Sequence, residues 1–158
     1  MQSLFPELDK EYQAHVVRVQ MEAREVAAVG NSGGLRKPCL YWAVNKKNWK
    51  IYIGVAIEFQ KRVSSHQSMA RSGKGGGRLY PAMREAGIDS FEFVIIEYFD
   101  TEADANKAEK LAILEYRSQD PAIGYNTIVG GSGVGSAAGI KAAETRRINR
   151  AALKAQNS

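Results

Sequence analysis

The sequence predicts an α/β domain: a small antiparallel sheet of three strands, packed by helices on both sides, with an extra helix at each end. Three observations carry this. Residues 40–44 and 50–55 are strand-type runs separated by Lys46-Lys47-Asn48-Trp49, the length of a hairpin loop. Residues 91–99, Phe-Glu-Phe-Val-Ile-Ile-Glu-Tyr-Phe, form the strongest strand in the chain and are apolar on both faces, which implies helices over each. The stretches around these runs carry apolar residues at helical spacing.

Taken in order, residues 9–29 place Val16, Val19, Ala23 and Val26 on one helical face, ended by Gly30-Asn31-Ser32-Gly33-Gly34. This is an N-terminal helix on a hinge. In the hairpin, pairing Asn45 with Lys50 collects Leu40, Trp42, Val44, Ile51, Ile53 and Val55 on one apolar face. Tyr41, Ala43, Tyr52 and Gly54 fall on the other. A slip of one residue would scramble that sorting. Residues 58–69 form a helix, and residues 71–78, with four glycines among them, form a mobile basic loop. A short helix over 79–86 ends at Gly87. After the third strand, Thr101 and Asp104 have the spacing of a capping pair for an amphipathic helix over 101–116. Gly124-Tyr125-Asn126 and a glycine-rich stretch follow, then a basic helix over about 137–156.

A chain of 158 residues fits one domain with terminal appendages. The formal charge of +5 favours a polyanionic partner without identifying it. The single cysteine, Cys39, excludes an intrachain disulfide and a multi-cysteine metal site, and fits a cytoplasmic location. The first ten residues lack an apolar signal region, and no stretch reads as a membrane span.

Glu109 is the most informative residue for chemistry. Ala105, Ala108, Ala112, Ile113 and Tyr116 surround it at helical spacings and place its carboxylate on the apolar side. A salt bridge would explain it, and so would a hard cation, for which one carboxylate with retained waters suits Mg2+. Arg62 and His66, four apart on a helix, project from the same face. The arginine fork suits phosphodiester oxygens, and the imidazole can orient or deprotonate a nucleophile near neutral pH. Each is equally compatible with a surface bystander.

Together these residues resemble a known family. Cys39-Leu40-Tyr41, ten further residues, and Tyr52-Ile53-Gly54 are similar to the paired signature of the GIY-YIG nucleases, with Cys39 standing for the first glycine and Leu40 for isoleucine. Arg62 and His66 match the family's arginine and histidine, Glu109 its metal-binding glutamate, and Asn126 its late asparagine. The resemblance spans residues 38–131. It implies an endonuclease that hydrolyses double-stranded DNA with Mg2+ or Mn2+ held by Glu109, and catalytic residues Tyr41, Tyr52, Arg62, His66, Glu109 and Asn126. By similarity Tyr41 is the general base and Tyr52 its hydrogen-bonding neighbour, although the residues themselves do not separate the roles. Gly54, opposite Tyr41, would leave room for substrate.

The chain thereby divides into an N-terminal helical extension and hinge (1–36), a GIY-YIG nuclease domain (37–131), and a glycine-led basic helix (132–158) that suits DNA. Lys46, Lys47, Lys74, Arg78, Arg146, Arg147 and Arg150 are the candidate DNA contacts. A strand-glycine-helix pattern over 127–139 imitates a dinucleotide site, but the chain after it is too short for the second strand and ribose-binding acid. The function expected is that of a phage, mobile-element or restriction-like endonuclease. The alternative is a catalytically inactive GIY-YIG module that binds DNA. Terminal helices that join copies into a homo-oligomer are compatible with either.

Overall fold

The computed structural model describes residues 6–30 and 35–127. Along the chain these form α1 (Pro6–Val29), β1 (Cys39–Asn45), β2 (Ile51–Ala56), α2 (Phe59–Ser72), α3 (Leu79–Ala86), a 3-10 turn (Ile88–Ser90), β3 (Phe91–Tyr98) and α4 (Glu102–Tyr116). The basic helix expected over 137–156 lies outside the described residues. No described helix is long and apolar enough to cross a membrane.

The three strands form one antiparallel sheet in the order β2-β1-β3. The hairpin closes through the Asn45 amide, which donates to the Lys50 carbonyl at 3.0 Å. Tyr41 stands opposite Gly54 and Trp42 opposite Ile53, so the register is the one the alternating pattern predicts. Trp49 takes a left-handed conformation to complete the turn. A β-bulge between Leu40 and Tyr41 shifts the pairing with β3: Leu40 faces Glu97 and Tyr41 faces Ile95. Beyond it β3 emerges toward solvent, with Ile96 41% exposed, so only the first half of this strand is covered on both sides.

The sheet separates two cores. One face is aliphatic and holds Leu40, Trp42, Val44, Ile51 and Ile53 against Val19 and Ala23 of α1 and Ala112 and Ile113 of α4. The other holds Tyr41, Ala43, Phe91 and Phe93 against Phe59 and Ala70 of α2 and Leu79 and Met83 of α3. The N-terminal helix is therefore part of the domain core rather than an appendage. It is also tied down by polar contacts: the Tyr12 hydroxyl donates to Asp120 and the Tyr116 hydroxyl to Glu22, both at 2.7 Å.

Several boundaries shift for local reasons. Helix α1 begins three residues earlier than its apolar spacing suggests, at Pro6, a residue tolerated in a first turn. Helix α2 runs on to Ser72, because Gly73 in the left-handed conformation caps it there. The Thr101 side chain accepts from the Asp104 amide at 3.1 Å, the capping pair expected at the start of α4.

Candidate active site

Helix α2 lies over the face of the hairpin that carries both tyrosines. The Tyr41 ring packs among Tyr52, Phe59 and Phe93, with the Tyr41 and Tyr52 ring centres 6.4 Å apart. Arg62 hydrogen-bonds both phenols. One turn later on α2, His66 stacks on Phe93 with an interplanar angle of 21°. Its Nε2 lies 2.6 Å from the Tyr41 hydroxyl, and its Nδ1 lies 3.0 Å from the hydroxyl of Tyr80.

Gly54 has a different role from the one its position opposite Tyr41 suggests. A Cβ there would sit 2.5 Å from the Tyr41 hydroxyl oxygen and 2.6 Å from its Cζ. The space beside Gly54 is filled by the Tyr41 ring.

Cys39 fits its place as an ordinary strand residue: it is fully buried, pairs with Ala56 and Tyr98, and has no positive backbone angle. Burial pushes its thiol pKa up, which makes it unreactive.

Asn126 acts on backbone. Past α4 the chain returns along the free edge of β2, where the Ile51 amide donates to the Ile123 carbonyl and the Tyr125 amide to the Ile51 carbonyl. At the next position the side-chain amide of Asn126 takes over. Its Oδ1 accepts from the Ile53 amide and its Nδ2 donates to the Ile53 carbonyl, both at 2.9 Å. The strand carrying Tyr52 and Gly54 is thus paired on its outer side through the residue between them. Tyr125 fastens the hairpin turn as well, its hydroxyl accepting from Asn45 at 2.9 Å and Asn48 at 3.1 Å.

A cleft of about 830 Å³ opens beside this edge, lined by Tyr52, Arg62, Tyr80, Glu109, Asn126 and residues 75–78 among others. Glu109 is half-buried at its wall, less enclosed than the apolar spacing of α4 suggests, and its negative charge is felt by both Tyr41 and Tyr52. Tyr52 faces the cleft, whereas Tyr41 is fully buried behind Arg62 and His66.

The electrostatics follow from this layering. Burial raises the Tyr41 pKa well above that of a free phenol, Tyr52 adds to the rise, and Arg62 opposes it. Tyr52 is raised by burial too, again against Arg62. Burial, and then the positive charge of Arg62, pull His66 down to about 4, so its imidazole is neutral at physiological pH.

Among the described residues no group of three or more His, Cys, Asp and Glu side chains gathers to hold a metal. One carboxylate beside a polar cleft with space for water fits a hard divalent cation that keeps most of its hydration shell, as Mg2+ does.

Tyr41, Tyr52, Arg62, His66, Glu109 and Asn126 are therefore brought together at or directly behind one cleft. The candidate DNA contacts among the described residues are dispersed. Lys46 pairs with Glu92 at 3.7 Å at the hairpin end, Lys47 is exposed there, and neither lines the cleft. Lys74 is exposed in the loop preceding the cleft-lining glycines. Arg78 does line the cleft, but its Nη2 donates to the carbonyls of Gln119 at 2.7 Å and Asn126 at 2.6 Å. That guanidinium nitrogen ties down the Asn126 segment. Arg146, Arg147 and Arg150 lie outside the described residues. Tyr80, the second partner of His66, is absent from the sequence-based set. It stands inside an apolar helical pattern, and only the depth of the site reveals its hydroxyl.

Residues 37–126 match the GIY-YIG catalytic domain. The chain belongs to the GIY-YIG family. Its fold is that of the GIY-YIG nuclease domain, and among solved structures two of the same protein align with it. One is a point mutant of the catalytic domain of intron endonuclease I-TevI, at 28% identity and a TM-score of 0.55, covering 61% of this chain and 99% of that one. The other is the catalytic domain of homing endonuclease I-TevI, at 29% identity and a TM-score of 0.51, covering 57% and 97%. No curated protein sequence matches the chain. The match ends at residue 126, whereas the sequence places the end of the domain at 131.

Proposed function

We propose that this GIY-YIG protein is a divalent-metal-dependent endonuclease that hydrolyses phosphodiester bonds of double-stranded DNA. The observation that carries the proposal is the convergence of Tyr52, Arg62 and Glu109 on one cleft, with Tyr41 and His66 directly behind. Arg62 turns toward the phosphate and stabilises the added charge at phosphorus. That turn uncovers Tyr41. The Tyr41 oxygen then takes a proton from the attacking water while its own proton passes to His66 Nε2, as the water oxygen bonds to phosphorus and the ester bond to the leaving oxygen breaks.

Glu109 would hold Mg2+ or Mn2+, and the cation, when bound, supplies Lewis-acid stabilisation of the leaving oxygen. Asn126 keeps β2 in place, and Lys74 and the basic residues 146, 147 and 150 contribute phosphate contacts. The compact domain suits a phage, mobile-element or restriction-like enzyme, and cutting both strands at one site would engage two copies.

A second reading makes Tyr52 the base, because it is the phenol that reaches the cleft wall. Both readings meet the same assay, cleavage of supercoiled plasmid with and without magnesium. Glu109→Ala is expected to lose about 1000-fold in rate while retaining DNA affinity, of the order seen when transition-state charge stabilisation is removed. Wild-type protein that binds DNA but cuts no sequence with metal would mark a binding module. Tyr41→Phe is expected to be far slower than Tyr52→Phe, and the reverse order would transfer the base role to Tyr52.

A further inference from the structure

The His66 ring makes two hydrogen bonds to phenols, Tyr41 at Nε2 and Tyr80 at Nδ1. A neutral imidazole carries one proton and one lone pair, while a phenol can donate or accept, so the pair of bonds admits two arrangements. The environment of Tyr41 selects between them. Its oxygen accepts from Arg62, whose guanidinium can only donate, and its own proton needs an acceptor in a fully buried site. His66 Nε2 is that acceptor at 2.6 Å, and leaving such a proton unplaced would cost about 1–3 kcal/mol. Nε2 therefore carries the lone pair and Nδ1 the proton, which is donated to the Tyr80 hydroxyl oxygen.

We propose that Tyr80 is a positioning residue for the cleavage reaction: its hydroxyl holds His66 as the Nδ1-protonated tautomer, leaving Nε2 ready to receive the Tyr41 proton, and Gly75 holds Tyr80 in place. This rests on the nuclease reading above. When Nε2 gains that proton, the Nδ1–H bond to Tyr80 strengthens and shares the positive charge, so the ring need not carry it alone. The proton of Tyr80 is not used in this chain and stays available to the cleft that the residue lines.

Gly75 supplies the independent geometric support. It has φ +90°, and a Cβ on it would sit 2.6 Å from both Cδ2 and Cε2 of Tyr80. The glycine loop thus closes directly over the ring, and the spacing between them fixes where the hydroxyl falls. Packing of His66 itself is secured separately by Phe93 and Tyr52, so the contribution of Tyr80 is to accept the Nδ1 proton of the tautomer that Tyr41 selects.

The test is 15N NMR of histidine-labelled protein together with cleavage kinetics. The chain has only two histidines, and His15→Gln assigns the spectrum. Wild-type His66 is expected to show a protonated Nδ1 and an unprotonated Nε2. Tyr80→Phe, which keeps the ring, is expected to weaken that preference and to lose about tenfold in kcat, with KM within about twofold, since the acceptor of the Nδ1 proton is removed. Gly75→Ala, whose methyl displaces the ring, is expected to reproduce both changes. A wild-type His66 protonated at Nε2 would overturn the proposal, as would a Tyr80→Phe protein that keeps both tautomer and rate. A wild type that holds the Nδ1–H tautomer yet cuts no DNA removes the nuclease reading and leaves the hydrogen-bond assignment standing.

Discussion

The two faces of the sheet are built from alternate residues of the same strands, yet they are different materials. The face under α1 and α4 is dry and largely aliphatic, its one large aromatic strand residue, Trp42, meeting Tyr116 edge-on at 4.9 Å. The face under α2 is aromatic and polar-tipped: Tyr41, His66 and Asn126 are each less than 5% exposed and each hydrogen-bonded. The dry face gains its stability mainly from apolar area, with the Tyr12 and Tyr116 hydroxyl bonds at its margin. The wet face buries polar groups that are tolerable only while every partner is present. The period of two in β1 and β2 thus assigns stability and chemistry to opposite sides of a single hairpin.

Substitutions can break that division. Trp42→Ala is expected to have the largest effect on folding, about 3–5 kcal/mol by urea denaturation. Turnover per folded molecule should stay near that of the wild type, and a comparable fall in turnover would show that the faces are coupled. Asn126→Ala deprives the Ile53 amide and carbonyl of their partners and should cost about 2–4 kcal/mol, at about 1–2 for each of the two buried groups left unsatisfied. It should also lower kcat, because the same strand presents Tyr52. A stability loss without a kinetic one would confine Asn126 to the fold.

At neutral pH the smallest effect expected belongs to His66, whose contribution is read only as the pH falls. Its pKa is about 4 in the folded protein and about 6.5 when unfolded, so between these values the unfolded chain binds more protons. Stability is therefore unaffected above about pH 7, falls as the pH drops through 6.5, and is lower by about 3 kcal/mol at pH 4. His66→Gln should flatten the curve in that window. An unchanged curve would mean that His66 titrates normally in the fold.

These contrasts bear on what the sequence could reveal. The hairpin register was legible because a four-residue loop and strict alternation leave one pairing that keeps Trp42 and Ile53 together. Arg62 and His66 were legible as a pair because helical spacing places them on one face. Residues acting across long separations were not. Arg78 reads as a basic loop residue until its carbonyl partners, 41 and 48 positions away, are in place. Tyr80 has a side chain that suits an apolar helix face, and its hydroxyl matters only once α3 lies against α2. Gly54 reads as room for substrate, but the space is filled by a side chain of the protein itself.

The Asn126 staple also imposes an order in time. It joins positions 73 apart, whereas the hairpin it secures closes locally. During synthesis the strands can pair early, yet the edge of β2 stays unclamped until residue 126 has left the ribosome. A nascent chain would thus display a formed but unbraced hairpin, and the cleft would be completed only as the last segment of the domain docks. The site is thus assembled only after residue 126 has been made, at a point set by where along the chain the asparagine falls.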